Sequence, residues 1–221
     1  SIRTGDDAKL FHTDERNRYH HAPLAVVLPR STDEIAAIVK LCAGQHPPIA
    51  VIAQGGNTGL VGGCAVLPDT PTIILNLSRL NQTIDVDAVN HTVTIQAGVT
   101  LEKLHHAAAA HHLMFPLTLA SQSAATIGGN LATNAGGTQV LRYGNMRDLC
   151  LGLEVVLANG EVWHGLNTLR KNNTGYDLKH LFIGAEGTLG IITAAVLKLY
   201  PAPTQRRVAM IATADFSHIL Q

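Results

Sequence analysis

The sequence predicts an α+β protein of two lobes, a small β-α-β lobe followed by a larger lobe with a mainly antiparallel sheet and flanking helices. Three observations carry that expectation. A strand-like run, a helical run with an N-terminal capping signal and a second strand-like run follow one another between Ala25 and Ile52. From Ile84 onward most apolar runs are joined by short polar connections, as hairpins require. Three glycine-rich stretches, at 55–63, 126–137 and 184–190, punctuate these elements.

Residues 1–22 are polar and aromatic-poor and read as a helix-and-loop lead-in. The first lobe is expected over 23–82. Its first strand is Ala25-Val26-Val27-Leu28, stopped by Pro29. Ser31 at the N-cap with Glu34 three residues on has capping-box spacing, ahead of Ile35, Ile38, Val39 and Cys42 at helical intervals. Ile49-Ala50-Val51-Ile52 then reads as a short buried strand feeding the first glycine stretch, and Ile73-Ile74-Leu75-Asn76-Leu77 as one more strand.

The second lobe is expected over 83–203. Ile84–Asp87 and Thr92–Gln96 alternate as paired strands around Asn90-His91. Thr100 can cap a helix running to about His112. Its histidines, His105, His106, His111 and His112, never fall at the i,i+4 spacing that sets two metal ligands on one face, so they read as exposed helix residues. Glu154–Ala158 and Glu161–Trp163 flank Asn159-Gly160, a two-residue hairpin signal. Ile191–Tyr200 is the closing strand. After Pro201-Ala202-Pro203, the segment 204–221 opens with a strand-like run, Arg206 to Ala212, expected to begin a further C-terminal domain.

Composition excludes several classes. Hydrophobic residues make up 46% of the 221 and aromatics only 4%, so the core must come from Ala, Val, Ile and Leu. Sixteen basic side chains balance sixteen acidic ones, with no basic run interleaved with aromatics, which argues against a nucleic-acid partner. Cys42, Cys64 and Cys150 are scattered and odd in number, and read as reduced thiols in a cytosol-like compartment. No apolar run approaches the ~20 residues of a membrane span. The chain starts without an initiator methionine or a signal-like apolar core and is expected to be a piece of a longer protein.

The chemistry lies in the glycine stretches. Gln54-Gly55-Gly56-Asn57-Thr58-Gly59-Leu60-Val61-Gly62-Gly63 holds five glycines in nine residues and follows a strand. Glycine lets backbone approach a ligand closely, so successive N–H groups can face a phosphate or diphosphate. No Lys-Ser or Lys-Thr ends the loop and no Gly-x-Gly-x-x-Gly occurs in it, which disfavours both common nucleotide fingerprints. Thr126-Ile127-Gly128-Gly129-Asn130-Leu131-Ala132-Thr133-Asn134-Ala135-Gly136-Gly137 repeats the pattern with amides and hydroxyls, and Gly184-Ala185-Glu186-Gly187-Thr188-Leu189-Gly190 is a third instance. Three such segments suggest one long ligand touched in several places, as a dinucleotide would be.

From about Pro23 to Pro203 the chain resembles the flavin-binding domain of the p-cresol methylhydroxylase and vanillyl-alcohol oxidase type, which the D-2-hydroxy-acid dehydrogenases share. The stretches 54–59 and 170–179 (Arg-Lys-Asn-Asn-Thr-Gly-Tyr-Asp-Leu-Lys) most resemble the D-2-hydroxyglutarate dehydrogenase branch. The resemblance implies FAD, with the first stretch at its diphosphate, the second along the ribityl and diphosphate region and the third near the adenosine. The implied cofactor contacts are Gly55, Gly56, Asn57, Thr58, Gly59, Leu60, Gly62, Gly63, Pro116, Thr126, Gly128, Gly129, Asn130, Ala132, Thr133, Asn134, Gly136, Glu186, Gly187, Ile191 and Ile192. Members that tether the flavin often carry a histidine in the first loop; Asn57 stands there, so FAD is expected to be dissociable. Tyr176 and Asp177 read as an anchor of their loop on the core, and Glu186 as part of the ligand loop.

The resemblance further implies oxidation of a small 2-hydroxy acid, with an electron-transfer flavoprotein or a quinone as electron acceptor, and a homodimer as candidate assembly. The catalytic base, the cations for the substrate carboxylates and a divalent metal site are expected in a C-terminal half outside this sequence, leaving no catalytic or metal-ligating residue here and no turnover by this chain alone. Cytoplasm, or the mitochondrial matrix in a eukaryote, is the expected location. Two alternatives remain: an FAD-dependent oxidase or reductase of the same fold, acting in D-lactate or glycolate oxidation or in UDP-sugar reduction, and a non-enzymatic nucleotide-binding module.

Overall fold

The computed structural model describes residues 1–14, 16–205 and 207–220. In chain order the elements are β1 (Ile2–Arg3), α1 (Lys9–His12), β2 (Ala25–Val27), α2 (Thr32–Ala43), β3 (Ala50–Gln54) and β4 (Thr72–Asn76). There follow β5 (Ile84–Asp87), β6 (Thr92–Gln96), α3 (Leu101–Ala109), β7 (Leu113–Met114), α4 (Ile127–Ala132), α5 (Val140–Tyr143) and α6 (Met146–Leu149). Then come β8 (Cys150–Val156), β9 (Val162–Gly165), α7 (Lys179–Phe182), β10 (Ile191–Lys198) and β11 (Tyr200–Pro201).

The small lobe is a four-stranded sheet in the order β1-β2-β4-β3. β4 is parallel to both neighbours, with Val26 opposite Ile74 and Ile52 opposite Ile74 on the other side. Parallel strands need a crossover, and α2 supplies it. The Ser31 hydroxyl accepts the Glu34 N–H at 3.2 Å, while the Glu34 carboxylate accepts from Arg30 N–H at 2.7 Å, one residue before the box position. Ile35, Val39 and Cys42 form the buried stripe of α2. The large lobe is a five-stranded sheet, β5-β6-β10-β8-β9, antiparallel at every pairing. Its inner face and α3 enclose the main core, which continues into the small lobe through Ile35, Val39 and Leu75.

Several expectations need correction. The lead-in includes a strand: β1 pairs antiparallel with β2, and the Leu28 N–H reaches the Ser1 carbonyl. β3 is half-buried rather than buried, because it is the sheet's edge. α3 ends at Ala109, and His112 turns the chain with φ +57°. His105 is not an exposed helix residue; its Nε2 lies 2.8 Å from the Leu117 carbonyl. The β8–β9 connection is a three-residue loop. Leu157 N–H reaches the Glu161 carbonyl and Gly160 N–H the Leu157 carbonyl, with left-handed backbone (φ +75°) at Gly160 and not at Asn159, so a type I turn with a bulge replaces the two-residue turn. The closing strand breaks at Leu199, after which β11 pairs with β7. The expected strand 206–212 does not form: Val208, Met210 and Ile211 are exposed and no strand is assigned over 207–212, which has no pairing partner among the described residues. Arg206 itself lies outside the described residues.

Candidate functional site

β3 and β4 end side by side, and at their carboxyl ends two buried amides replace apolar side chains. Asn76 Nδ2 donates to Gln54 Oε1 at 3.0 Å and to the Gly55 carbonyl at 3.1 Å, while Gln54 Nε2 donates to the Phe11 carbonyl at 2.6 Å. Buried amides carry this desolvation only when partnered, so the network fixes where the loop after β3 begins. The loop then turns at Asn57, whose backbone is left-handed (φ +54°) and whose Nδ2 donates to the Thr13 carbonyl at 2.9 Å. Gly56 lies so close to the turn just before the second glycine stretch that a Cβ would sit 1.9 Å from the Ala124 carbonyl oxygen. That glycine serves packing between the first loop and this turn. At Gly59, by contrast, an added Cβ meets nothing within 4 Å.

The second stretch forms α4. The Thr126 hydroxyl caps it by accepting the Gly129 N–H at 3.3 Å, and the Thr133 hydroxyl donates back to the Gly129 carbonyl at 2.9 Å. The third stretch docks on the other end, where Gly184 N–H and Glu186 N–H take the Leu131 and Ala132 carbonyls at 3.0 and 2.9 Å. These are helix-end carbonyls without intrahelical partners, so the third loop completes α4. All three stretches therefore meet at one short helix.

Together they wall a cavity of about 430 Å³, within the usual range of ligand pockets, roughly 300–1,000 Å³. Of the expected contacts, Gly55–Leu60, Gly62, Gly63, Thr126, Gly128, Gly129, Asn130, Ala132, Thr133, Glu186, Gly187, Ile191 and Ile192 border it. Pro116, Asn134 and Gly136 do not. Pro116 is packed in the interior. Asn134 holds a left-handed turn (φ +47°) and accepts the Arg147 N–H at 3.0 Å. Gly136 sits against Asn145 and Val140.

Sequence reasoning missed Asp14, Cys64, Leu119 and Ser121, which also border the cavity. Leu119 and Ser121 precede the second stretch and differ in no local way from other loop residues. Backbone N–H groups of Tyr19, then of Arg18 and Arg16, hold the Asp14 carboxyl below its ordinary range, the Tyr19 bond counting most. Burial, and next the Glu186 carboxylate, push the Cys64 thiol up. Tyr176 does not anchor its loop: it is 93% exposed, and Asp177 pairs with Lys179 and, at 3.2 Å, with His180.

The donor set suits a dinucleotide. Among the described residues, no protein acceptor takes the backbone N–H groups of Gly56 through Leu60. Asn130, which borders the cavity, is 5% exposed and its Nδ2 has no hydrogen-bond partner, a buried donor of the kind a bound ligand can satisfy. Among the described residues, no lysine or arginine borders the cavity, so a diphosphate there would be held by N–H dipoles of these residues.

Fold and cavity thus define a domain that holds a dinucleotide cofactor between two lobes. Residues 23–165 match the FAD binding domain family, and the chain belongs to it. FAD is its cofactor. The chain is 42% identical over 215 residues to D-2-hydroxyglutarate dehydrogenase of Xanthomonas citri pv. viticola, covering 97% of this chain and 45% of that protein. It is 47% identical over 193 residues to the mitochondrial D-2-hydroxyglutarate dehydrogenase of Bos taurus, covering 87% of this chain and 35% of that one. Identity is 44% over 188 residues, 85% of this chain and 37% of the other, to D-2-hydroxyglutarate–pyruvate transhydrogenase of Saccharomyces cerevisiae. Among solved structures, alkyldihydroxyacetonephosphate synthase superposes with a TM-score of 0.80 at 27% identity, over 92% of this chain and 38% of that one. The chain spans less than half the length of each of these proteins.

Proposed function

We propose that this chain is the FAD-binding portion of a dehydrogenase that oxidises a D-2-hydroxy acid, D-2-hydroxyglutarate foremost, to the 2-oxo acid. The observation that carries the cofactor half of this reading is that the unpartnered Asn130 amide and the free N–H groups of 56–60 belong to residues lining one cavity. The relatives, three of which act on D-2-hydroxyglutarate by name, support the substrate half.

Bound FAD supplies the acceptor for the hydride equivalent removed from the substrate carbon. The residues of this chain bind and orient. The N–H groups of Gly56–Gly59 would hold the diphosphate, and Asn130 Nδ2 would donate to the cofactor. Glu186, on the third loop, would accept from a cofactor hydroxyl, and Ile191 and Ile192, at the start of β10, would shield the cofactor from water. Asn57 has no nucleophilic atom, and FAD is held without a covalent bond. Of the cavity's two carboxylates, Asp14 is held in its charged form by three backbone N–H groups, and Glu186 belongs to the cofactor loop. The base, the cations for the substrate carboxylates and a divalent metal belong to the rest of the protein. Electrons pass on to an electron-transfer flavoprotein or a quinone, in the cytoplasm or the mitochondrial matrix; among the described residues no helix is long and apolar enough to cross a membrane.

The test is an absorption spectrum of the purified chain with FAD, before and after denaturation and filtration. Flavin bands that appear on mixing and pass the filter are expected. The full-length protein is then reduced anaerobically with D-2-hydroxyglutarate, D-lactate and glycolate in turn, and fastest bleaching by D-2-hydroxyglutarate is expected. A full-length protein that binds FAD but bleaches with none of them would retain the cofactor assignment and end the substrate one.

A further inference from the structure

A second cavity, of about 290 Å³, lies at the opposite end of β10 and shares no lining residue with the first. Ile191 borders one and Lys198 the other, roughly 23 Å apart at about 3.3 Å per strand residue. Its walls come from α6, the start of β8, the end of β10 and the loop 167–180. Four permanent cations border it, Arg147, Arg170, Lys179 and Lys198, against two carboxylates, Asp148 and Asp177, an excess of two positive charges.

How those charges are partnered matters more than their number. Arg147 donates to the carbonyls of His180, at 2.8 Å, and Ile183. Arg170 donates to the carbonyls of His91 and Asn90 at 3.2 and 3.4 Å, and Lys198 to that of Asp148. Among the described residues, none of these three cations pairs with a carboxylate; only Lys179 does, with Asp177. Asp148 is occupied in capping α6, accepting Asn145 N–H at 2.9 Å. Burial, the larger cause, and then the neighbouring Arg170 hold the Lys198 ammonium below the ordinary lysine range, with Asp148 opposing them.

We propose that this cavity binds a small dianionic oxyanion, a dicarboxylate or a phosphate, through Arg170, Lys198, Arg147 and Lys179. A guanidinium has five N–H donors, so Arg147 and Arg170 keep several free after their bonds to carbonyls, in the fork geometry that matches two oxygens of one anion. A dianion cancels the excess charge. An apolar ligand does not fit, because the side chains that border the space are almost all polar or charged.

The experiment titrates FAD-loaded full-length protein by calorimetry with inorganic phosphate and, separately, succinate, against chloride of matched ionic strength. Saturable one-to-one binding of either probe is expected, weakened at least tenfold by Arg170→Gln and by Lys198→Gln with flavin content unchanged. Should those variants lose flavin or fold, Asn172→Asp decides. It keeps the acceptor for the Thr174 N–H, at 3.1 Å, and adds a third carboxylate to the cavity wall, so binding should weaken several-fold. Binding of phosphate alone assigns a phosphate ligand, and of succinate alone a dicarboxylate. No saturable binding of either probe, or affinity unchanged in the folded variants, overturns the site; succinate bound with unchanged affinity sits elsewhere.

Discussion

Asn130 separates binding from folding more cleanly than any other residue in the first cavity. A buried amide with one unpartnered donor costs the apo protein about 1–3 kcal/mol, and a ligand that accepts from it recovers that amount. Asn130→Leu is therefore expected to leave apo stability unchanged or raise it, while weakening FAD binding about tenfold or more. Thermal melting of apo protein and flavin titration read the two effects separately, and parallel losses in both would return Asn130 to a purely structural role. Asp177 gives a residue-scale pH dependence. The Lys179 ammonium, its first cause, holds the carboxyl below the ordinary carboxylate range, so the folded state keeps the charge more tightly than the unfolded chain. A depressed carboxyl stabilises above its unfolded pKa, and that contribution disappears as pH falls through the lower folded value. Because the Asp177 carboxylate is exposed, the pair is worth at most about 1 kcal/mol. Asp177→Asn should lower the melting temperature slightly at pH 7 and leave it unchanged near pH 2.

Among the elements, the first loop and α4 carry a contrast between two glycines. Gly56→Ala would drive a Cβ to 1.9 Å from a backbone oxygen, so apo stability should fall by several kcal/mol and flavin would be lost as a secondary effect. Gly59→Ala meets open space; the apo melting temperature should stay within a degree or two while FAD affinity falls, if the ligand occupies that space. A Gly59→Ala protein with unaltered affinity would move the diphosphate away from Gly59. The elements themselves were legible because their signals are local. Ser31 and Thr100 cap helices from the sequence positions that name them, and alternation marks β5 and β6. What local signals missed was set by partners distant in sequence. β1 is a strand only because β2 lies beside it, and the run after Arg207 is not one because none of the described residues pairs with it. Asn159-Gly160 suggested a two-residue turn, but Leu157 pairs with Glu161, which leaves three residues in the loop.

Across the whole molecule, the glycine stretches were legible as one cavity because few roles explain three of them in a single chain. The reason for each glycine was not: Gly56 answers to Ala124, a contact between segments nearly seventy residues apart. The second cavity left no sequence signal, since its cations are scattered from Arg147 to Lys198 and look like ordinary surface charge. Burial also decides the thiols. It pushes Cys150 up to about 12, and raises Cys42 as well. Native protein at pH 8 should expose none of its three thiols to rapid alkylation, and all three after denaturation; fast labelling of Cys150 in folded protein would contradict its burial.

The meeting of all three stretches on α4 bears on the order of events during folding. The loop after β3, the helix and the loop before β10 lie about a quarter of the way along the sequence, near its middle and in its last fifth, so no early, local fragment can hold flavin. Such long-range contacts close late. In refolding, quenching of flavin fluorescence should lag the burial of Trp163, and the cofactor arrives as an inspector of a finished frame, not as a template for it.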